Sequence, residues 1–312
     1  AVSADANYSG MDAADVSVTN TDDDTAGINI VPTSGLITGE DGSADTFTVV
    51  LNSEPTADVT IDLTSSDTTE GTVSPAQVTF TNANWNTAQT VTVTGVDDAL
   101  VDGSIAYTVV TAAAVSADAN YSGMDAADVS VTNTDDDTAG INIVPTSGLI
   151  TGEDGSADTF TVVLNSEPTA DVTIDLTSSD TTEGTVSPAQ VTFTSTNWNT
   201  AQTVTVTGVD DALVDGSIGY TVVTAAAVSA DANYSGMDAA DVSVTNTDDD
   251  TAGINIVPTS GLITGEDGSA DTFTVVLNSE PTADVTIDLT SSDTTEGTVS
   301  PAQVTFTNAN WN

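Results

Sequence analysis

Apolar and polar positions alternate with a period of two through most of this chain, and no helical period competes with that pattern. In Phe47-Thr48-Val49-Val50-Leu51, every second side chain from Phe47 is apolar. The same holds for Val59, Ile61 and Leu63, for Val78 and Phe80, and for Val91 and Val93. It holds again for Ile105, Tyr107 and Val109, and for Val129 and Val131. The pattern predicts strands at 27–32, 46–51, 58–64, around 78–80, 90–94, 105–110 and 129–132. The positions between are mostly Thr, whose branched Cβ fits a pleated surface. Gly35, Gly39 and Gly103 read as turn residues. Seven short strands in about 100 residues, separated by turns, predict a two-sheet Greek-key sandwich of immunoglobulin-like type.

The pattern then repeats. Residues 1–113, 114–226 and 227–312 align without gaps. The first two copies differ only where Asn82, Ala83 and Ala106 become Ser195, Thr196 and Gly219. A period of 113 residues is too long for a solenoid and suits one sandwich per repeat. The boundary is placed after the aspartate triplet that closes each copy. Complete domains are then 25–137 and 138–250. Residues 1–24 form the C-terminal fragment of a preceding repeat, and 251–312 the N-terminal part of a following one. The chain reads as a window on a longer tandem array.

Charge changes the picture more than any other feature. The chain has 48 acidic residues and no Lys, Arg or His. Nothing within it can neutralise a carboxylate, so crowded acids repel and hold their protons more tightly unless a cation intervenes. Nucleic acid and insertion into a membrane are excluded as partners, since no side chain can meet a phosphate and no apolar run spans a bilayer. There is no Cys, hence no disulfide and no thiolate metal site. The lack of Lys removes a Lys–Asn isopeptide. Catalysis lacks a His, Cys or Lys base or nucleophile, and the chain reads as a non-enzyme.

In an immunoglobulin-like topology, ten acids of repeat 25–137 fall at the pole of the C-terminus. These are Glu40 and Asp41; Asp67 and Glu70; Asp97, Asp98 and Asp102; and Asp135, Asp136 and Asp137. Glu54, Asp118, Asp125 and Asp128 fall at the other. Ca²⁺ takes 6–8 oxygen ligands, so the acidic pole has room for roughly two to four ions per complete junction. The ligand set expected is Glu40, Asp41, Asp67, Asp97, Asp98, Asp102 and Asp135–Asp137. In the second repeat it is Glu153, Asp154, Asp180, Asp210, Asp211, Asp215 and Asp248, Asp249 and Asp250. Simple calcium loops fail: Asp135-x-Asp137 starts like an EF-hand, but Ala139 and Thr146 occupy its fifth and twelfth positions.

The run TVTVTGVDDALVDG from Thr90 to Gly103, followed by Tyr107-Thr108-Val109-Val110 and closed by Asp135–Asp137, resembles the Calx-β domain. The resemblance covers each whole repeat. It implies an immunoglobulin-like sandwich that binds Ca²⁺ at its C-terminal pole. Asp97, Asp98, Asp102 and Asp135–Asp137 fall on the family's acidic positions, with Glu40 and Asp67 matching its earlier ones. Ser104 and Ile105 stand where that family often has further acids, and 112–128 has no counterpart. Such repeats also resemble those of giant bacterial surface adhesins and fibres. That likeness implies an extracellular or cell-surface bacterial setting and a role as Ca²⁺-rigidified extender. Neighbouring repeats are the expected partners. A glycan-binding module using the D–E and F–G loops around Trp85 is one alternative, with glycan as partner; Tyr121 and Met124 could instead join Trp85 in an inter-domain contact. A self-assembling filament of identical chains is the other.

Overall fold

The computed structural model describes all of residues 1–312 and contains strands and no helix. By its internal contacts the chain forms two compact units. The first comprises Ala1–Asp98 and Asp102–Asp136, and the second Ala99–Val101 and Asp137–Asn312.

The first unit holds β1 (Ile28–Val31), β2 (Leu36–Gly39), β3 (Ala44–Leu51), β4 (Val59–Ser65), β5 (Gly71–Ser74), β6 (Gln77–Phe80), β7 (Gln89–Gly95), β8 (Ile105–Thr111), β9 (Val115–Ser116) and β10 (Val129–Thr134). One sheet runs β1-β3-β7-β5 and the other β2-β10-β8-β4-β6, with β9 also paired to β4. All neighbours are antiparallel except β2 and β10, which run parallel. This is the expected all-β, immunoglobulin-like sandwich. The seven expected strands are present, and β2, β5 and β9 are additional. All three are short, and β2 contains Gly39, expected as a turn residue. Gly39 lies in the strand through its pairing with Thr134, and a Cβ there would sit 2.8–2.9 Å from Ser43 Oγ, Asp41 Oδ1 and Thr134 Oγ1.

The alternation fixes the core. Phe47, Val49, Val59, Ile61, Leu63, Phe80, Val91, Val93 and Val109 are buried between the sheets. Each lies at an apolar position of the two-residue period. Close packing then makes truncation costly. Segment 112–128 supplies core residues that the period does not show. Tyr121 is buried, its hydroxyl donates to Ser53 O at 2.7 Å and it accepts the Ser53 N–H at 3.1 Å. Trp85 and Met124 pack against the same core. The three residues expected at a contact or sugar platform are thus engaged in the packing of their own sandwich.

The second unit repeats the arrangement in β11 (Ile141–Val144), β12 (Leu149–Gly152), β13 (Ala157–Leu164), β14 (Val172–Ser178), β15 (Gly184–Ser187), β16 (Gln190–Phe193), β17 (Gln202–Gly208), β18 (Ile218–Thr224), β19 (Val228–Ser229) and β20 (Val242–Thr247). Its sheets run β11-β13-β17-β15 and β12-β20-β18-β14-β16. Two hairpin-like pairs follow, β21 (Ile254–Val257) with β22 (Thr274–Leu277) and β23 (Val285–Asp288) with β24 (Gln303–Phe306).

Identical sequence takes different structure according to its neighbours. Residues 16–21 repeat the sequence of β10 yet are exposed and unpaired. Residues 262–265 repeat β12 without forming a strand. A strand gains its hydrogen bonds and burial only from partners, so propensity alone does not order these copies.

Replacing Phe160, buried in the second core, by Ala should cost about 3–5 kcal/mol in urea unfolding. Ile150, 60% exposed on β12, should cost less than about 0.5 kcal/mol when cut to Ala.

Candidate metal centre

Strand register gathers the acids. In the second unit, β12 and β20 run parallel with Gly152 opposite Thr247, so Glu153 and Asp248 leave the sheet side by side. β18 runs antiparallel to β20 with Ile218 opposite Asn246, which brings Asp215 to the same edge. In the other sheet Gly184 faces Gly208, so Glu183 and the pair Asp210–Asp211 also emerge there. The two sheets meet at this edge because Gly208 has no side chain. A Cβ on it would overlap the carbonyl of Gly152.

Two carboxylate groups result. Glu153, Asp248 and Asp250 each place an oxygen within 4.8 Å of the others. So do Glu183, Asp211 and Asp215. In the first unit Glu70, Asp98 and Asp102 form the second kind of group. Glu40 and Asp135 there occupy the places of Glu153 and Asp248, while Asp137 opens the second unit.

The first group is strained electrostatically. Glu153 is only 3% exposed, and burial raises its carboxyl to about 7. The Asp249 N–H on Glu153 Oε2 (3.3 Å) opposes the rise, and the charges of Asp211, Asp248 and Asp215 add to it. Glu40 is raised to about 7 for the same leading cause, with Asp135, Asp98 and Asp102 adding. Asp250 is also raised, by burial first and then by its acidic neighbours. Its Oδ2 is fully buried and receives no hydrogen bond. Asp248 is lowered instead, because the Gly216 N–H donates to Oδ2 at 2.7 Å and the Asp250 N–H to Oδ1 at 2.8 Å. In the second group burial raises Glu183 and Glu70, each partly offset by a hydrogen bond from Asn246 or Asn133. Asp102 is raised by burial, then by Asp98 and Asp135. Asp98, Asp102, Asp211 and Asp215 therefore act on both groups.

The other expected ligands stand outside these groups. Asp41 and Asp154 each accept a backbone N–H two residues on, at 2.8 Å. Asp67 and Asp180 accept both the N–H and the hydroxyl of Thr69 or Thr182, which holds them below the usual carboxylate range. Asp97, Asp136, Asp210 and Asp249 are exposed flanking charges. Glu70 and Glu183 belong to the groups but not to the expected ligand set. Their signal is the Glu-Gly step at which β5 and β15 begin. At the opposite pole, Asp118 is buried and caps the N–H groups of Thr56 (2.8 Å) and Asn120 (2.9 Å), and Asp128 accepts the Thr111 N–H at 2.9 Å.

The donors are all carboxylate oxygens, and Asp250 Oδ2 is buried without a proton donor. That set fits a hard cation with oxygen coordination, and it offers nothing to a thiolate- or imidazole-seeking metal.

No protein-family model matches the chain, and no curated protein matches it in sequence. Similar solved structures include the calcium binding domain CBD12 of CALX1.1, with 16% identity and a TM-score of 0.32 over 64% of this chain and 80% of that one. CBD12 from CALX1.2 matches with 12% identity and a TM-score of 0.29 over the same shares. Domains 4 and 5 of the S-layer protein SbsC match with 15% identity and a TM-score of 0.28 over 60% and 75%. The fold assignment stands on the strand pairing itself. No helix is long and apolar enough to cross a membrane.

A raised carboxyl makes the cation-free fold prefer low pH. Glu40 and Glu153 keep their protons in the folded state between their ordinary 4.5 and about 7, where the unfolded chain has released them. Their contribution is complete below about pH 4.5 and is lost as pH rises through 7. In chelator, the urea midpoint should therefore fall between about pH 5 and pH 7.5. Glu153→Gln should flatten part of that slope; an unchanged slope would remove Glu153 as its source.

Proposed function

We propose that the repeats are structural extender modules of an extracellular array and that Ca²⁺ at the carboxylate groups stiffens them. Ca²⁺ suits the sites better than Mg²⁺, since it accepts irregular, carboxylate-rich shells while Mg²⁺ requires a tight octahedron and keeps its waters. Glu153, Asp248 and Asp250 would hold one ion, and Glu183, Asp211 and Asp215 another. A bound ion replaces repulsion among these groups with attraction.

One observation carries the mechanical reading. Within the second unit, the apolar tripeptide Ala212–Val214 lies between the acids Asp211 and Asp215. Its Leu213 forms a parallel β-bridge to Glu280, whose N–H donates to Ala212 O at 2.6 Å. The tripeptide at the same place one repeat earlier, Ala99–Val101, also belongs to this unit. Ala99 O accepts the Glu167 N–H at 2.7 Å and Val101 O accepts the Asn233 side chain at 2.9 Å. A loop fixed by a cation through Asp211 and Asp215 would hold the segment that pairs with the following repeat. Without the cation, repulsion loosens both.

Extracellular sites of this kind bind with dissociation constants of about 10⁻⁴–10⁻³ M. At fifty times that constant each site adds about 2 kcal/mol of stability. Calcium should therefore raise the melting temperature and lengthen and stiffen the chain in small-angle scattering, and chelator should reverse both. Scattering curves that are the same in calcium and in chelator would refute the stiffening role. Asp250→Asn should weaken calcium binding at least about tenfold while raising stability in chelator, because it removes a charge that is buried without a donor. Calorimetric titration and melting of the same variant measure the two effects.

A further inference from the structure

Each complete sandwich closes a surface groove with a turn of fixed sequence. In the second unit the turn is Asp231-Ala232-Asn233-Tyr234-Ser235-Gly236-Met237. Tyr234 is buried; its hydroxyl donates to Ser166 O at 2.8 Å and accepts the Ser166 N–H at 3.1 Å. Asp231 Oδ2 accepts the Thr169 N–H at 2.8 Å, and the Asn233 side chain donates to Val101 O at 2.9 Å. The first unit seats Asp118–Met124 on Ser53 and Thr56 through the same tyrosine and aspartate bonds.

One more turn and one more groove are present, and each is open. The turn is Asp5–Met11, which has the same seven residues. It is already folded. The Tyr8 N–H donates to Asp5 O at 3.1 Å, the Asn7 N–H to Asp5 Oδ1 at 2.9 Å and the Gly10 N–H to Ala1 O at 3.0 Å. The seated turn has the same three bonds at Tyr121, Asn120 and Gly123. Yet Tyr8 is 60% and Met11 56% exposed. The groove is Ser279–Thr282, identical in sequence to Ser166–Thr169. It is built as its filled counterpart is: the Asn278 N–H donates to Gly253 O at 2.9 Å, as Asn165 does to Gly140, and the Glu280 N–H donates to Ala212 O, as Glu167 does to Ala99. Where Tyr234 sits in the filled copy there is a cleft of about 610 Å³, lined by Val214, Ile254, Leu277, Ser279, Pro281 and Thr282.

We propose that the turn Asp5–Met11 of one copy of the chain seats in the Ser279–Thr282 groove of a second copy. The filled grooves specify the contacts. The Tyr8 hydroxyl bonds to the Ser279 backbone, Asp5 caps the Thr282 N–H, and the Asn7 side chain donates to Val214 O. A tyrosine suits such a cleft because its ring is large and apolar while its hydroxyl reaches a polar partner. Turn and groove both exist before they meet, so little ordering cost is added on association. Turn and groove are different surfaces of one chain, so the contact is heterologous and adds copies one after another. Like charge on the copies opposes the contact, and salt screens that repulsion. No carboxylate of the candidate cation groups takes part, so the contact does not depend on the calcium reading.

The test is sedimentation of the purified 312-residue chain over a range of concentrations, in chelator and about 0.5 M salt. The average mass should rise with concentration beyond that of one chain. Tyr8→Ala should raise the dissociation constant at least about tenfold, since a seated tyrosine is a typical anchor of an interface. Tyr8→Phe, which keeps the ring, should raise it less. Tyr8 is exposed, so neither change should move the urea midpoint. A synthetic peptide of residues 1–12 should dissolve the assemblies, and the same peptide with Tyr8→Ala should not. A wild-type chain that stays monomeric at every concentration overturns the proposal. So does self-association that Tyr8→Ala leaves unchanged, which marks a contact through other surfaces such as the sheet edges.

Discussion

Carboxylates that cannot be paired with any cation of the chain itself are held together at the edge of each sandwich, and the surrounding structure is what makes this tolerable. With no Lys, Arg or His, every Coulomb contact among charged side chains is repulsive. The energy that opposes the repulsion comes from the strand ladder and from the apolar layer between the sheets. Backbone N–H groups relieve part of the charge, at Asp248 most of all. Glu153 and Asp250 are left to retain protons or to take a cation. The acids converge only because the strand register and the core beneath it bring their strand ends together.

Much of this was legible in the sequence because the period-two pattern is strict. Phe47, Ile61, Val93 and Val109 announce their side of the sheet by spacing alone. The convergence of Glu40, Asp98, Asp102 and Asp135 follows from topology once the strands are counted. What sequence did not disclose depends on pairing. Thr38 looks like any outward threonine, yet the parallel contact with β10 turns it inward against Asn133. Glu70 sat among the acids of the right pole, but only the facing of Gly71 and Gly95 shows that it enters a carboxylate group. Asp41 and Asp67 have the right type but lie outside the groups, each with one oxygen accepting the Ser43 or Thr69 backbone N–H. Tyr121 lies in a stretch with no period at all, and its burial depends on a hydrogen-bonding partner 68 residues away.

The glycines have an unusual share in the result. Gly71, Gly95 and Gly208 are not turn residues; they are places where a side chain would occupy space already taken by a phenol, a carboxamide or the opposite sheet. Two strand ends without side chains in each sandwich, Gly71 and Gly95 or Gly184 and Gly208, let its two sheets close at the acidic edge, which is how residues from separate sheets share one electrostatic field.

The parallel pairing of β2 and β10 also has a mechanical meaning. β2 lies near the start of the sandwich and β10 near its end, and they point the same way. Tension applied through the chain pulls the beginning of β2 one way and the end of β10 the other. The ladder between them is then loaded lengthwise, all of its hydrogen bonds at once, rather than opened one after another as an antiparallel hairpin would be. In that geometry the four register positions, Leu36–Gly39 against Val131–Thr134, share a lengthwise load.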